Sequence, residues 1–140
     1  MFKKFIFLFL SFFVCSFAYS KDIRIFCNVY ENYSIDTDTS KRVYDNEPHH
    51  WQIWEILIQP EKRQIVLVDT DDYIPKIKEL PMLSLQNEKH FRAGGQPKDG
   101  WIQISRVNGT ALYKQIRENL YWVDVFYLNN CSTTKPKNKF

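Results

Sequence analysis

The sequence lacks the motifs of the common catalytic and metal sites. It has three histidines in 140 residues, and it contains no HExxH, no GxSxG and no histidine pair at i and i+4. His49 and His50 are adjacent, so in an extended chain they would point to opposite faces. A close CxxC pair is also absent, which argues against thiol redox chemistry. We therefore expect no cofactor and no catalytic imidazole or thiol.

A clear excess of positive or negative charge is also missing. Beyond the first twenty residues, 17 Lys and Arg stand against 16 Asp and Glu. A chain that binds nucleic acid through its phosphates usually carries a clear basic excess. The near-neutral balance therefore gives no reason to expect a nucleic-acid partner.

Long apolar runs are confined to the N-terminus, where fifteen of the first twenty residues are apolar. Two lysines precede the run, and Ala18 and Ser20 supply small residues for cleavage before Lys21. This pattern predicts a signal peptide over residues 1–20 and a periplasmic or extracellular location. An uncleaved anchor and a lipid on Cys15 are the alternatives. No later stretch reaches eighteen apolar residues, so we expect no transmembrane segment in the mature chain.

The cysteine count fits export. Without Cys15, only Cys27 and Cys131 remain, near the two ends of the mature chain. Two cysteines in an exported protein are most simply a structural disulfide. On the chain-entropy account, a loop of about 105 residues gives on the order of 4–5 kcal/mol of stability.

Strand patterns dominate the mature chain. Residues 21–30 alternate between apolar and other side chains, with Ile23, Ile25, Cys27 and Val29 on one face. Further strands are predicted over residues 51–58, 64–69, 101–107, 110–116 and 120–128. Asn108-Gly109 favours a type I′ hairpin turn, whereas residues 31–48 and 86–100 are predicted as loops, the first with a short strand near 42–44.

These segments predict an all-β fold, a small antiparallel β-barrel or sandwich of six to eight strands. A single β domain would span residues 21–131, followed by a flexible basic tail over residues 132–140. A bond between Cys27 and Cys131 would be geometrically natural if the first and last strands are neighbours, as in a closed barrel. We therefore expect one disulfide to close the sheet.

One acidic segment has the spacing of a calcium loop. Asp36, Asp38, Ser40 and Glu47 fall at positions 1, 3, 5 and 12 of an EF-hand-type loop. Position 6, which is normally glycine, is Lys41. The segment is thus a candidate metal site, with a solvated acidic loop as the alternative.

Carboxylates on apolar strands are a second candidate site. Glu55 and Asp124 each interrupt an apolar strand, and Asp69 ends another. Paired carboxylates such as Glu55 and Asp69 could perform glycoside hydrolysis. A carboxylate inside a barrel would instead need a partner such as Arg24 or Arg106.

Aromatic residues are the third candidate. All four tryptophans and seven of the eight tyrosines lie beyond residue 20. Most are expected in the core, because small β proteins fill their interiors with aromatic rings. Trp51, Tyr121 and Tyr127 are the candidate surface anchors for binding.

The last third of the chain resembles small exported bacterial β proteins. The resemblance lies in Ile102–Gly109 (IQISRVNG), the aromatic strand that follows, and Cys131 close to the end of the chain. It implies export and a disulfide-tied β fold, without an activity.

Together these features favour an exported binding protein, whose partner is another protein or a small apolar ligand. A cell-envelope hydrolase with paired carboxylates and an envelope assembly factor are the alternative functions.

Overall fold

The structure, a computed structural model, describes residues 21–44, 52–70, 77–83, 89–117 and 121–135. These residues form nine β-strands: β1 (Ile23–Asp36), β2 (Arg42–Tyr44), β3 (Ile53–Gln59), β4 (Gln64–Asp69), β5 (Lys78–Pro81), β6 (His90–Gly94), β7 (Trp101–Ser105), β8 (Thr110–Ile116) and β9 (Trp122–Ser132). In this part of the chain no helix is long and apolar enough to cross a bilayer.

Eight of the strands form a nearly closed antiparallel barrel. Their order is β5-β4-β3-β1-β9-β8-β7-β6, while β2 pairs only with β1. The two outer strands meet where Met82 bridges Ala93 and the Leu83 N–H donates to the Arg92 carbonyl at 3.0 Å. Apart from the contact between β1 and β9, barrel neighbours follow one another along the chain. The fold is thus an up-and-down barrel, which decides between the predicted barrel and sandwich.

The first and last barrel strands are held together by the predicted disulfide. Cys27 on β1 and Cys131 on β9 are bonded, with their Cα atoms 4.1 Å apart. The register between these strands shifts beside Cys27, and Asn130 has a φ of 50°. This register shift is a β-bulge, and a bulge changes the direction of nearby side chains, here beside Cys27. The disulfide closes the barrel as the cysteine count indicated.

The barrel interior is packed with apolar side chains. The predicted alternation at the start of β1 is confirmed, because Ile25, Cys27 and Val29 belong to the buried core. The other strands contribute the remaining core residues: Trp54, Ile56, Ile58, Ile65, Leu67, Leu80, Ala93, Ile102, Ile104, Ala111, Tyr113, Phe126 and Leu128. Eight strands give an interior just wide enough for side chains to fill it.

Three local predictions are wrong. The predicted loop over residues 31–48 begins later, because β1 continues to Asp36 and pairs there with β2 and β9. The predicted loop over residues 86–100 contains β6, whose inward residue Ala93 is fully buried. The β7–β8 hairpin is confirmed, but its turn spans residues 106–109, and only Gly109 has a positive φ, of 64°. A type I′ turn needs positive φ at both central residues. The longer loop removes that requirement from Asn108, whose N–H instead donates to Ser105 Oγ at 3.1 Å.

We call the end of the barrel where β1 ends and β9 begins the upper end. Pairing of Asp36 with Trp122 places these two strand ends together there. The lower end carries the start of β1, opposite Ile58 of β3, and the end of β9.

Candidate functional site

Three aromatic rings occupy the middle of the barrel. Trp54 lies 5.5 Å from Tyr113 and 5.0 Å from Phe126 between ring centroids, and Tyr113 and Phe126 are 6.1 Å apart. All three side chains are at most 1% exposed. The Trp54 indole N–H has no hydrogen-bond acceptor among the described residues. The rings fill the interior at this level, so the candidate binding surfaces of the described residues lie at the upper end and on the outside.

A polar network lies directly above these rings, inside the upper end. Asp124 is almost buried and accepts hydrogen bonds from Ser34 Oγ at 2.7 Å and from Arg117 Nη2 at 2.8 Å, both to Oδ1. Gln115 Nε2 reaches Oδ2 at 3.4 Å. The bond to the Asp124 carboxylate raises the pKa of Arg117. The carboxylate that the sequence placed on an apolar strand is therefore inward and paired with Arg117, rather than with Arg24 or Arg106.

The same network continues to Lys78 on β5. Its Nζ donates to Gln115 Oε1 at 3.0 Å and to the Lys98 carbonyl at 2.9 Å. The Tyr113 hydroxyl donates to the Asp99 carbonyl at 2.6 Å. Burial lowers the pKa of Lys78 and raises that of Tyr113, because it disfavours the charged form of each. These groups bind one another, so the network ties strands together across the upper end of the interior.

The candidate catalytic carboxylates lie elsewhere. Glu55 pairs with Asp69 in the register of β3 and β4, and it forms an ion pair with Arg24. Glu55 is on the outer face, because its neighbours Trp54 and Ile56 point into the core. Asp69 is exposed at the end of β4. The two carboxylates are therefore neighbours on the outer surface, whereas Asp124 lies inside the barrel.

The candidate calcium segment forms the connection between β1 and β2. Asp36 Oδ1 accepts the N–H groups of Asp38 at 2.8 Å and Thr39 at 3.3 Å, and Ser40 has a φ of 57°. Such a side-chain turn is what an aspartate at the start of a loop commonly makes. Glu47 lies outside the described residues. Within them, no group of three or more His, Cys, Asp or Glu could hold a metal ion.

An outer surface rich in tyrosine is created by a bulge in β1. Val29 pairs with Leu128 and Glu31 pairs with Tyr127, so Tyr30 is an extra residue between them. Before the bulge, odd-numbered residues of β1 face the core. After it they face outward, which brings Tyr33 to the same face as Tyr30.

We call this outer face the tyrosine face: it carries Tyr30, Tyr44, Tyr127 and Arg42 around Tyr33, which is only 3% exposed. The Tyr33 ring lies 5.5 Å from Tyr44 and 6.2 Å from Tyr127 between centroids, and the Arg42 guanidinium carbon is 4.6 Å above it. Burial raises the pKa of Tyr33, as does its hydrogen bond with Tyr127. Tyr30 and Tyr44 are 57% and 53% exposed. Clustered tyrosines with an arginine have the composition of binding hot spots.

A groove adjoins this face on the outside of β7, β8 and β9. Its volume is 390 Å³, and it is lined by Tyr30, Gln103, Ser105, Thr110, Ala111, Leu112, Tyr127, Leu128 and Asn129. We call it the lateral groove. None of these lining residues carries a charge.

A second groove of 460 Å³ lies near the upper end, between the β6–β7 connection and β8. Pro97, Trp101, Ile116 and Val123 give it apolar walls, and Lys114 is the ionic side chain in its lining. The Ile116 N–H donates to the Pro97 carbonyl at 3.0 Å, which holds the connection against the strand.

The three aromatic anchors predicted from the sequence have different positions. Tyr127 belongs to the tyrosine face and also lines the lateral groove. Tyr121 is 59% exposed and precedes β9 at the upper end. Trp51 lies outside the described residues. Sequence reasoning missed Tyr30, Tyr33 and Tyr44, because their shared face depends on the bulge and on the pairing of β2.

Comparisons of the chain with protein families, curated proteins and solved structures give no match.

Proposed function

We propose that this chain is an exported binding protein and that the tyrosine face is its recognition surface. The observation that carries the proposal is the gathering of Tyr30, Tyr33, Tyr44, Tyr127 and Arg42 on one outer face of a barrel whose middle is filled by side chains. Tyrosine presents a large, stiff and amphipathic surface at low entropic cost, which suits it to recognition.

The proposal of export rests on the N-terminal pattern and on the disulfide. A basic start, an apolar run and small residues before Lys21 are typical of a cleaved signal peptide. The Cys27–Cys131 bond is compatible with an oxidising compartment such as the periplasm or the extracellular space. We include in this proposal that the chain is related to the small exported bacterial β proteins that its last third resembles.

Binding is a better-supported function than hydrolysis. Glu55 is bound by Arg24 on the outer surface, and its register partner Asp69 is exposed. A glycosidase instead holds its two carboxylates across a substrate cleft, with one of them protonated. An envelope assembly factor would use the same tyrosine face. It would differ from the proposed binding protein only in the partner that this face binds.

The proposal can be tested with envelope material. The oxidised protein, expressed with its own N-terminal segment and fluorescently labelled, would be incubated with the cell-wall and membrane fractions of a bacterial host. The test variant is Arg42→Ser/Tyr44→Ser, which removes two exposed side chains of the tyrosine face. The control is Val107→Ser, because Val107 is 69% exposed in the distant β7–β8 turn.

We expect the wild type and the Val107→Ser variant to be retained on one fraction, and the double variant to lose at least tenfold in retention. Circular dichroism would verify that all three proteins remain folded. Absence of retention of the wild type, or equal retention of all three proteins, would overturn the proposed function.

A further inference from the structure

We propose that the lateral groove binds a neutral saccharide, with Tyr30 and Tyr127 as its stacking rings. This inference rests on the proposed function and specifies the ligand class for that surface. The groove volume of 390 Å³ lies within the range of about 300–1,000 Å³ that is usual for small-molecule sites.

The two tyrosines meet at the groove because of the bulge in β1. Tyr30 is the extra residue of the bulge, and Tyr127 faces Glu31 immediately beside it. Both therefore lie on the outer face, at the border between the tyrosine face and the groove. The apolar C–H face of a pyranose ring packs against an aromatic ring. The Tyr127 hydroxyl hydrogen-bonds to Tyr33, so Tyr127 contributes mainly its ring.

The opposite side of the groove supplies polar groups. Gln103 on β7 lies opposite Leu112 of β8, which in turn lies opposite Tyr127 of β9. These three residues thus form one row across the outer face, from an amide through an apolar side chain to an aromatic ring. Asn129 and Thr110 add a second amide and a hydroxyl to the lining.

These polar groups are available to a ligand. Among the described residues, the side chains of Gln103, Thr110 and Asn129 have no hydrogen-bond partner. Ser105 Oγ accepts the Asn108 N–H at 3.1 Å, and its own O–H can still donate. Amides and hydroxyls can donate as well as accept, which matches the hydroxyl groups of a sugar.

The absence of charge in the lining selects against other ligand classes. No side chain that lines the lateral groove is ionised, so a carboxylate, phosphate or ammonium group would lose its hydration there without an ionic partner. Lys114 is ionic, but it lines the other groove, the one at the upper end. A purely apolar ligand would leave the amides and hydroxyls of the lateral groove unpaired. A neutral polyhydroxylated ring with apolar C–H faces satisfies both requirements.

The experiment is a titration of the oxidised, ¹⁵N-labelled protein, followed by amide chemical shifts. The neutral probes are maltopentaose, cellopentaose and penta-N-acetylchitopentaose, and the charged probe is a pentameric oligogalacturonide. A neutral Gly-Ser-Asn peptide tests whether the groove instead takes polypeptide. We expect at least one neutral saccharide to shift the amides of Gln103, Leu112, Tyr127 and Asn129, with a weaker response to the charged probe.

Variants assign the binding to the stacking ring. Tyr30→Ala should weaken binding at least tenfold, whereas Tyr30→Phe, which keeps the ring, should stay within threefold of wild type. Tyr121→Ala is the matched control, because Tyr121 is equally exposed but lies outside the groove lining.

The inference is overturned if no neutral saccharide shifts the groove amides, if the oligogalacturonide binds equally well, if the peptide alone binds, or if Tyr30→Ala binds as wild type does. The envelope assay uses Arg42 and Tyr44, which do not line the groove. A loss there without saccharide binding would therefore refute this inference alone.

Discussion

The guanidinium of Arg117 holds both carboxylate oxygens of Asp124, with Nη2 2.8 Å from Oδ1 and Nε 3.0 Å from Oδ2. The Asp124 side chain is only 11% exposed, so it depends on these bonds to replace water. We predict that Arg117→Ala lowers the free energy of unfolding by about 1–3 kcal/mol, the usual cost of leaving a buried polar group short of partners. Urea unfolding followed by tryptophan fluorescence would measure the change.

A matched control for this pair exists on the outer surface. Arg24 and Glu55 also form an ion pair, with side chains 55% and 21% exposed. Exposed pairs contribute about 0–1 kcal/mol, because water and salt screen them. Arg24→Ala should therefore cost less than Arg117→Ala, and equal losses would contradict the special role of Asp124.

The disulfide should supply a large share of the stability. Its cysteines are 104 residues apart in sequence, so the bond strongly restricts the unfolded chain. We predict that Cys27→Ala/Cys131→Ala lowers the free energy of unfolding by on the order of 4–5 kcal/mol. Reduction of the wild-type protein is the control and should give the same loss, because it breaks the same bond. A double variant as stable as wild type would show that strand pairing alone closes the barrel.

Tyr113 should make the protein sensitive to alkali. Burial raises its pKa above the ordinary value of 10.0, so the unfolded chain releases this proton at a lower pH than the folded chain does. The stabilisation is present below pH 10 and is lost as the pH rises from there toward the folded pKa. Tyr113→Phe should therefore have a flatter decline of unfolding free energy above pH 10 than wild type. The measurement is the unfolding free energy from urea melts at a series of pH values. Parallel pH dependences for wild type and Tyr113→Phe would contradict the prediction.

Gly100 should tolerate no side chain. Its φ is 91°, and a Cβ there would overlap the ring and hydroxyl of Tyr113. We predict that Gly100→Ala costs on the order of 2–4 kcal/mol, from the backbone strain and the overpacked ring together. Gly95→Ala is the control, since its nearest contact is the Asp99 side chain at 3.2 Å. A thermal melt in which both variants lose the same Tm would argue against the clash.

Much of the fold was predictable because most strands show their inward faces as alternation. The hairpin of β3 and β4 contains aromatic and β-branched residues on either side of a short turn, and the structure confirms both strands. The disulfide followed from counting, because removal of Cys15 left a single pair. The strand β6 was missed because its fully buried inward residue, Ala93, gives little apolar signal, and Gly94 and Gly95, which favour a loop, follow it.

The candidate site was much less predictable. Strict alternation would place Tyr30 and Tyr33 on opposite faces of β1, and the single extra residue of the bulge cancels that expectation. Nothing in the residues around Tyr30 marks the bulge, because its position is set by the pairing with β9. Likewise, Asp124 pairs with Arg117 and not with Arg24 or Arg106. The register between β8 and β9 decides which side chains meet, and sequence spacing does not show that register.

The order of strands around the barrel also has a consequence for folding. Every neighbouring pair except β1 and β9 can form between consecutive segments, so these contacts close short loops, whereas β1 can meet β9 only when the whole chain has been brought round. Cys27 and Cys131 become neighbours at that final step, since they lie on those two strands. Oxidation of this pair would accordingly mark the completion of folding. The pairing of β1 with β9, which closes the longest loop, would then be held by a covalent bond.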